Sequence, residues 1–107
     1  MTAPTPPVAI CVLNTLISGL SEPWDRGMIS DRATELGYKS PRVVDLAYTT
    51  MEALLCTCSE LGAVAVVVPS LDHLPVGALE TLDKATLTIA TVYPPIARHV
   101  GRKAERE

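Results

Sequence analysis

The sequence predicts an α/β domain: a three-layer sandwich with a mostly parallel four-stranded sheet, built in the order β-α-β-α-β-α-β. Three observations carry that expectation. Residues 8–16 (VAICVLNTL) and 63–68 (AVAVVV) are almost unbroken apolar runs, which suits central strands covered on both faces. Segments with helical periodicity and recognisable start and stop residues separate the runs. The connections are short, and such alternation argues for parallel strands joined by right-handed crossovers.

The elements follow in order. Residues 8–16 are the first strand, and residues 17–22, with Gly19, are a loop. Ser21 is the expected N-cap of a helix over 23–36, with Glu22 and Pro23 in its first turn, where acids and proline are favoured. Trp24, Met28, Ile29, Ala33 and Leu36 form its expected apolar stripe, and Gly37 stops it. Residues 41–47 (PRVVDLA) are a second, short strand. Thr49 with Glu52 reads as a capping box. The helix behind it repeats Met51, Leu54, Leu55, Cys58 and Leu61 at helical spacing, the best periodicity in the chain. Gly62 ends it, residues 63–68 are the third strand, and 69–74 are a loop. Pro75 opens a short helix reaching Lys84, with Val76, Leu79 and Leu82 inward. Residues 87–93 (LTIATVY) are the fourth strand, broken by Pro94 and Pro95. One domain over 8–93 is expected, between a disordered proline-rich leader over 1–7 and a tail over 94–107 that forms a frayed helix at most.

Composition narrows the function classes. The chain has 107 residues, 48% hydrophobic and 20% charged, with no Phe, so its core must come from Val, Leu, Ile, Ala and Met. The formal net charge of −3 disfavours broad phosphate-backbone binding, which needs a basic surface. Arg98, Arg102, Lys103 and Arg106 cluster, but Glu105 and Glu107 dilute them into a solvated tail. No apolar run approaches the ~20 residues of a membrane span. Three cysteines, Cys11, Cys56 and Cys58, with no export signal, indicate free thiols in a reducing cytoplasm. On a helix Cys56 and Cys58 point about 200° apart, so they share no metal, and all three read as small buried hydrophobes. No metal and no other cofactor is expected.

In open parallel sheets, sites gather beyond the carboxyl ends of the strands. Those ends hold Asn14 and Thr15, Asp45 and Tyr48, Ser70 to His73, and Tyr93. No glycine-rich phosphate cradle follows the first strand. Ser70, Asp72 and His73 are too close in sequence to form a triad together. Asp72 reads as a turn or capping residue, and Asn14 and Thr15 as groups satisfying the backbone where the strand turns.

At these positions the chain resembles the catalytic domain of serine recombinases, the resolvase and invertase family. AICVLNT (9–15) sits where that family has a strand ending in Tyr-x-Arg-Val-Ser, and AVVVPSLDHL (65–74) resembles its strand and loop ending in Leu-Asp-Arg-Leu-Gly-Arg. The element order and the distance between the two segments fit over 8–93. The resemblance puts the family's serine on Thr15, its first arginine on Leu13 and its tyrosine on Cys11. Asp72 and Leu74 match the second motif, but its arginines fall on His73 and Val76. Losing those cations removes the main electrostatic support for phosphoryl transfer. The family's long DNA-crossing helix and DNA-binding domain also have no counterpart, since 12 residues follow Pro95.

The resemblance therefore implies a resolvase-like interaction or regulatory domain without recombinase activity, with degenerate positions Thr15, Asp72 and His73. A homodimer is the expected assembly, with a protein partner as the alternative. A competing expectation is a small enzyme with a rebuilt site around Asp45, Tyr48, Asp72 and His73. A third is weak nucleic-acid binding, which needs Arg26, Arg32, Arg42 and Arg98 on one face.

Overall fold

In the computed structural model, which describes residues 6–93 and 97–98, a single sheet runs through the middle of the chain. Its strands are β1 (Val8–Leu13), β2 (Val43–Asp45), β3 (Ala63–Val68), β4 (Thr88–Thr91) and β5 (Ala97–Arg98), in the spatial order β2-β1-β3-β4-β5. The first four are parallel, and β5 lies antiparallel against β4. The helices are α1 (Thr15–Ser18), α2 (Glu22–Glu35), α3 (Met51–Leu61) and α4 (Ala78–Lys84), with single 3-10 turns over Gly19–Ser21 and Leu71–His73.

The strand order reverses direction once. The chain steps from β1 outward to β2, then returns across β1 to β3 and on to β4. Right-handed crossovers then require α2 on one face and α3 and α4 on the other. The core divides accordingly. Ala9, Cys11 and Leu13 of β1, Ala65 and Val67 of β3 and Ala90 of β4 pack with Ile29 and Ala33 of α2. The alternate residues, Ile10, Val12, Val44, Val66, Val68 and Ile89, pack with Leu54, Cys58 and Leu82 of α3 and α4. Period-two alternation in doubly covered strands gives both faces an apolar set. Three of the six strand residues under α2 are alanines, where the opposite face carries valine and isoleucine.

Several boundaries differ from expectation. The apolar run of the first strand stops pairing at Leu13, because Asn14 caps α1: its side chain accepts the Leu16 N–H at 2.9 Å. The expected loop over 17–22 is thus α1 and a 3-10 turn. Ser21 makes no side-chain cap bond to α2 and has helical backbone angles itself, so the chain enters α2 from the preceding turn. The buried stripe of α2 is Asp25, Ile29 and Ala33. Trp24 lies one residue off that stripe and is 65% exposed. The cap of α3 is Thr50, which accepts the Ala53 N–H at 3.1 Å, not Thr49. Gly77 in the left-handed region precedes α4, and the turn it makes leaves Val76 outside rather than inward. Gly37 and Gly62 close α2 and α3 with positive φ as expected, and Thr86 does the same after α4 at φ 57°. Cys11 and Cys58 are buried, but Cys56 is exposed on the outer side of α3.

The leader expected over 1–7 lies outside the described residues except for Pro6 and Pro7. The Pro7 carbonyl accepts the Lys39 N–H at 2.8 Å, so Pro7 already belongs to the domain. Of the tail over 94–107, the described pair 97–98 is strand, not helix, because it pairs with Ile89 and Ala90. Among the described residues no helix is long and apolar enough to cross a membrane.

Candidate functional site

The switch in strand direction falls between β1 and β3. A crevice at such a point, beyond the carboxyl ends, is where open sheets place ligands. Here one hydrogen-bonded cluster lies beside that point, between β1 and β2, and a second lies at the point itself.

The first joins β1 to β2. The Thr15 hydroxyl donates to Asp45 Oδ2 at 2.8 Å, and the Thr15 N–H donates to Oδ1 at 3.1 Å. The Ala47 N–H donates to the same Oδ1 at 2.9 Å, so Asp45 closes its own turn. Burial pushes this carboxyl up. The Ala47 N–H, the Thr15 hydroxyl and N–H, and the Arg26 charge outweigh it and hold the group below its ordinary value.

The second cluster joins β1, β3 and α2. The Asn14 N–H donates to His73 Nδ1 at 3.0 Å. That bond fixes the neutral tautomer with its proton on Nε2. Nε2 faces Asp25 Oδ2 at 4.0 Å, and the Ser18 hydroxyl donates to the same oxygen at 2.6 Å. Ser18, Asp25 and His73 are all buried. Burial pulls the His73 pKa down, and the Asp25 and Asp72 charges offset this only in part. The imidazole thus serves as an internal acceptor that ends β1, not as an exposed base.

Of the residues expected at this edge, the structure joins Asn14 to His73 and Thr15 to Asp45. It leaves Tyr48 83% exposed, its side chain outside both clusters. Ser70 precedes the 3-10 turn without a side-chain cap bond, and Asp72 is exposed on that turn. Two clefts of the molecule lie away from Asp45, Tyr48, Asp72 and His73, around which a rebuilt enzyme site is expected. One, of about 350 Å³, lies at the opposite edge between the ends of α3 and α4, lined by Leu55, Cys58 and Leu87. Another, of about 140 Å³, lies between α2 and Val92. Among the described residues no group of His, Cys, Asp or Glu gathers to hold a metal.

Ser18 and Asp25 were missed by the sequence reading. A signal for Asp25 exists: it lies at i−4 and i−8 from Ile29 and Ala33, on the buried face of α2. An acid on such a stripe must find an internal partner. Nothing local marks Ser18 as that partner.

Around the clusters the edge is apolar. Leu20 and Val76 are fully exposed, Leu16 is 79% exposed, and Trp24, Tyr48 and Tyr93 are also open to solvent. These side chains are linked through the fold. Trp24 Nε1 donates to the Tyr93 hydroxyl at 2.9 Å. Helix α1 touches α2 and both 3-10 turns, directly or through short contacts. The Tyr48 N–H donates to the Asp45 carbonyl at 3.1 Å. The arginines do not gather there: Arg26 pairs with Glu22 and Arg32 with Glu35, both at 2.8 Å, while Arg42 precedes β2. No protein-family model matches the chain, and no curated protein and no solved structure matches it.

Proposed function

We propose that the chain is a non-catalytic interaction domain on a resolvase-like scaffold, and that the carboxyl edge of its sheet is the surface it works through. One observation carries this reading. The groups chemistry would need are committed internally, the Thr15 hydroxyl to Asp45, the Ser18 hydroxyl to Asp25 and His73 Nδ1 to the Asn14 N–H, while large apolar side chains stand in solvent around them. Exposed apolar patches of this kind mark interaction sites.

The catalytic alternative has weaker support. Asp45, held below the usual carboxylate range, is a poor proton acceptor for Thr15 at neutral pH. Arg26, the cation nearest this pair, is already bound to Glu22. Phosphoryl transfer relies on unpaired positive charge aimed at the phosphate.

A photo-crosslinking amino acid at position 20 tests the reading, with position 60 on the outer side of α3 as control. We expect a discrete adduct from position 20 alone in cells that make the protein. The absence of any adduct from the rim would sink the proposal. So would phosphodiester hydrolysis that disappears in Thr15→Ala, because that would make Thr15 a nucleophile.

A further inference from the structure

The apolar rim is also acidic. Glu22, Glu52 and Glu80 lie in the first turns of α2, α3 and α4, all of which start at the carboxyl edge. Asp45 and Asp72 add two more acids there. Against these five, two described cations reach this edge, and both are paired: Arg26 with Glu22, and Arg32, bonded to the Thr91 carbonyl at the end of β4, with Glu35. The other described cations lie away from it. Lys39 bridges beside Val8 at the start of β1, Lys84 is in the last turn of α4, Arg42 precedes β2, and Arg98 pairs with Ile89 near the start of β4. The helix N-termini supply partial positive charge, which offsets part of the acid charge but fills no apolar surface.

Resting on the reading above, we infer that this edge takes a cationic amphipathic segment of a partner protein, with large apolar side chains flanked by Lys or Arg. The apolar residues Leu16, Leu20, Trp24 and Val76 meet its apolar face, and Glu52, Asp72 and Glu80 meet its cations. Charge complementarity decides among occupants. A second copy of this chain sets five acids against five acids. Nucleic acid and an anionic lipid surface bring negative charge to a negative edge.

The only tryptophan of the chain, Trp24, stands in this rim, so its fluorescence reports occupancy. The probe is a short synthetic peptide of leucine and lysine at helical spacing. Its counterparts are a leucine–glutamate peptide of the same spacing and a lysine–serine peptide. We expect a saturable blue shift with the leucine–lysine peptide alone, weakening as salt rises. Glu52→Lys combined with Glu80→Lys weakens it at least tenfold. Leu20→Ser with Val76→Ser abolishes it, and because both positions are fully exposed this variant keeps its fold by circular dichroism. An equal shift with the leucine–glutamate peptide overturns the inference, as does no shift at all. A shift that grows with protein concentration without peptide, with doubled mass in sedimentation, assigns the rim to a second copy instead. A shift with phosphatidylglycerol vesicles assigns it to a membrane. If the peptide fails while the position-20 adduct persists, the interaction domain stands and only the cationic partner is lost.

Discussion

At the scale of single residues, His73 ties the end of β1 to the turn after β3. Its neutral form accepts the Asn14 N–H, and protonation removes that acceptor. Its pKa is lowered in the folded protein, so the unfolded chain binds the proton first. Stability is therefore complete above the unfolded value of about 6.5 and falls as pH drops from there through the lower folded value. Asp45 acts in a separate window. Its folded pKa is also lowered, so its contribution is lost only as pH falls below about 4. We expect His73→Asn, which keeps an acceptor for the Asn14 N–H, to flatten the pH dependence of urea stability just below pH 6.5. In contrast, His73→Leu should destabilise at every pH by about 1–3 kcal/mol, the cost of a buried donor left without a partner. A His73→Asn profile identical to wild type would show that another group titrates there. The sequence placed His73 at the right edge but gave no sign of its burial, because that burial comes from α2 arriving over it, a contact between residues 25 and 73.

At the scale of elements, the helix ends make the sharpest tests. Thr50, not Thr49, caps α3, so Thr50→Ala should cost about 1 kcal/mol while Thr49→Ala costs a few tenths. Thermal denaturation of the two variants separates them. Helix α4 closes on Thr86 at φ 57°, where a β-branched residue is strained. Thr86→Gly should relieve that strain and raise stability by roughly 0.5–1 kcal/mol, even though a glycine elsewhere usually lowers it. The sequence showed where the helices lie, because apolar periodicity, Gly37 and Gly62 are strong local signals. It misread the cap of α3 by one residue, since two adjacent threonines offer the same chemistry and only backbone geometry selects between them. It turned α2 by one position, since Trp24 and Asp25 compete for the inner stripe. Hydrophobicity alone favours the tryptophan; the partners Ser18 and His73 decide for the acid.

At the scale of the whole molecule, the layers and the parallel strands follow from alternation and crossover handedness, and so were legible; the spatial order β2-β1-β3-β4-β5 was not, because the apolar runs do not say on which side of β1 each next strand pairs. The candidate site was only half legible. Strand ends named Asn14, Thr15, Asp45 and His73, but not that their polar groups would turn toward each other and leave apolar ones outside. That inversion gives a stability expectation. Leu20→Ser and Val76→Ser, each at a fully exposed position, should change the urea midpoint by less than about 0.5 kcal/mol equivalent. Leu82→Ala, in the core between α4 and the sheet, should cost about 2–5 kcal/mol. A large stability loss from the rim pair would mean that those side chains support the fold.

The alanines beneath α2 carry a last consequence. Ala9, Ala65 and Ala90 form a low floor on which Ile29 and Ala33 rest. The height of that floor sets the level at which the start of the same helix meets the rest of the protein. The same helix carries Asp25 to Ser18 and His73, and Trp24 to Tyr93. Each alanine is thus a shim for a surface it never touches. A larger residue in place of one of these alanines is expected to overpack the layer under Ile29 and push the helix outward, which would lengthen the contacts of Asp25 and Trp24. Tuning of the rim is therefore available from deep inside the sheet, at positions that a survey of the surface would pass over.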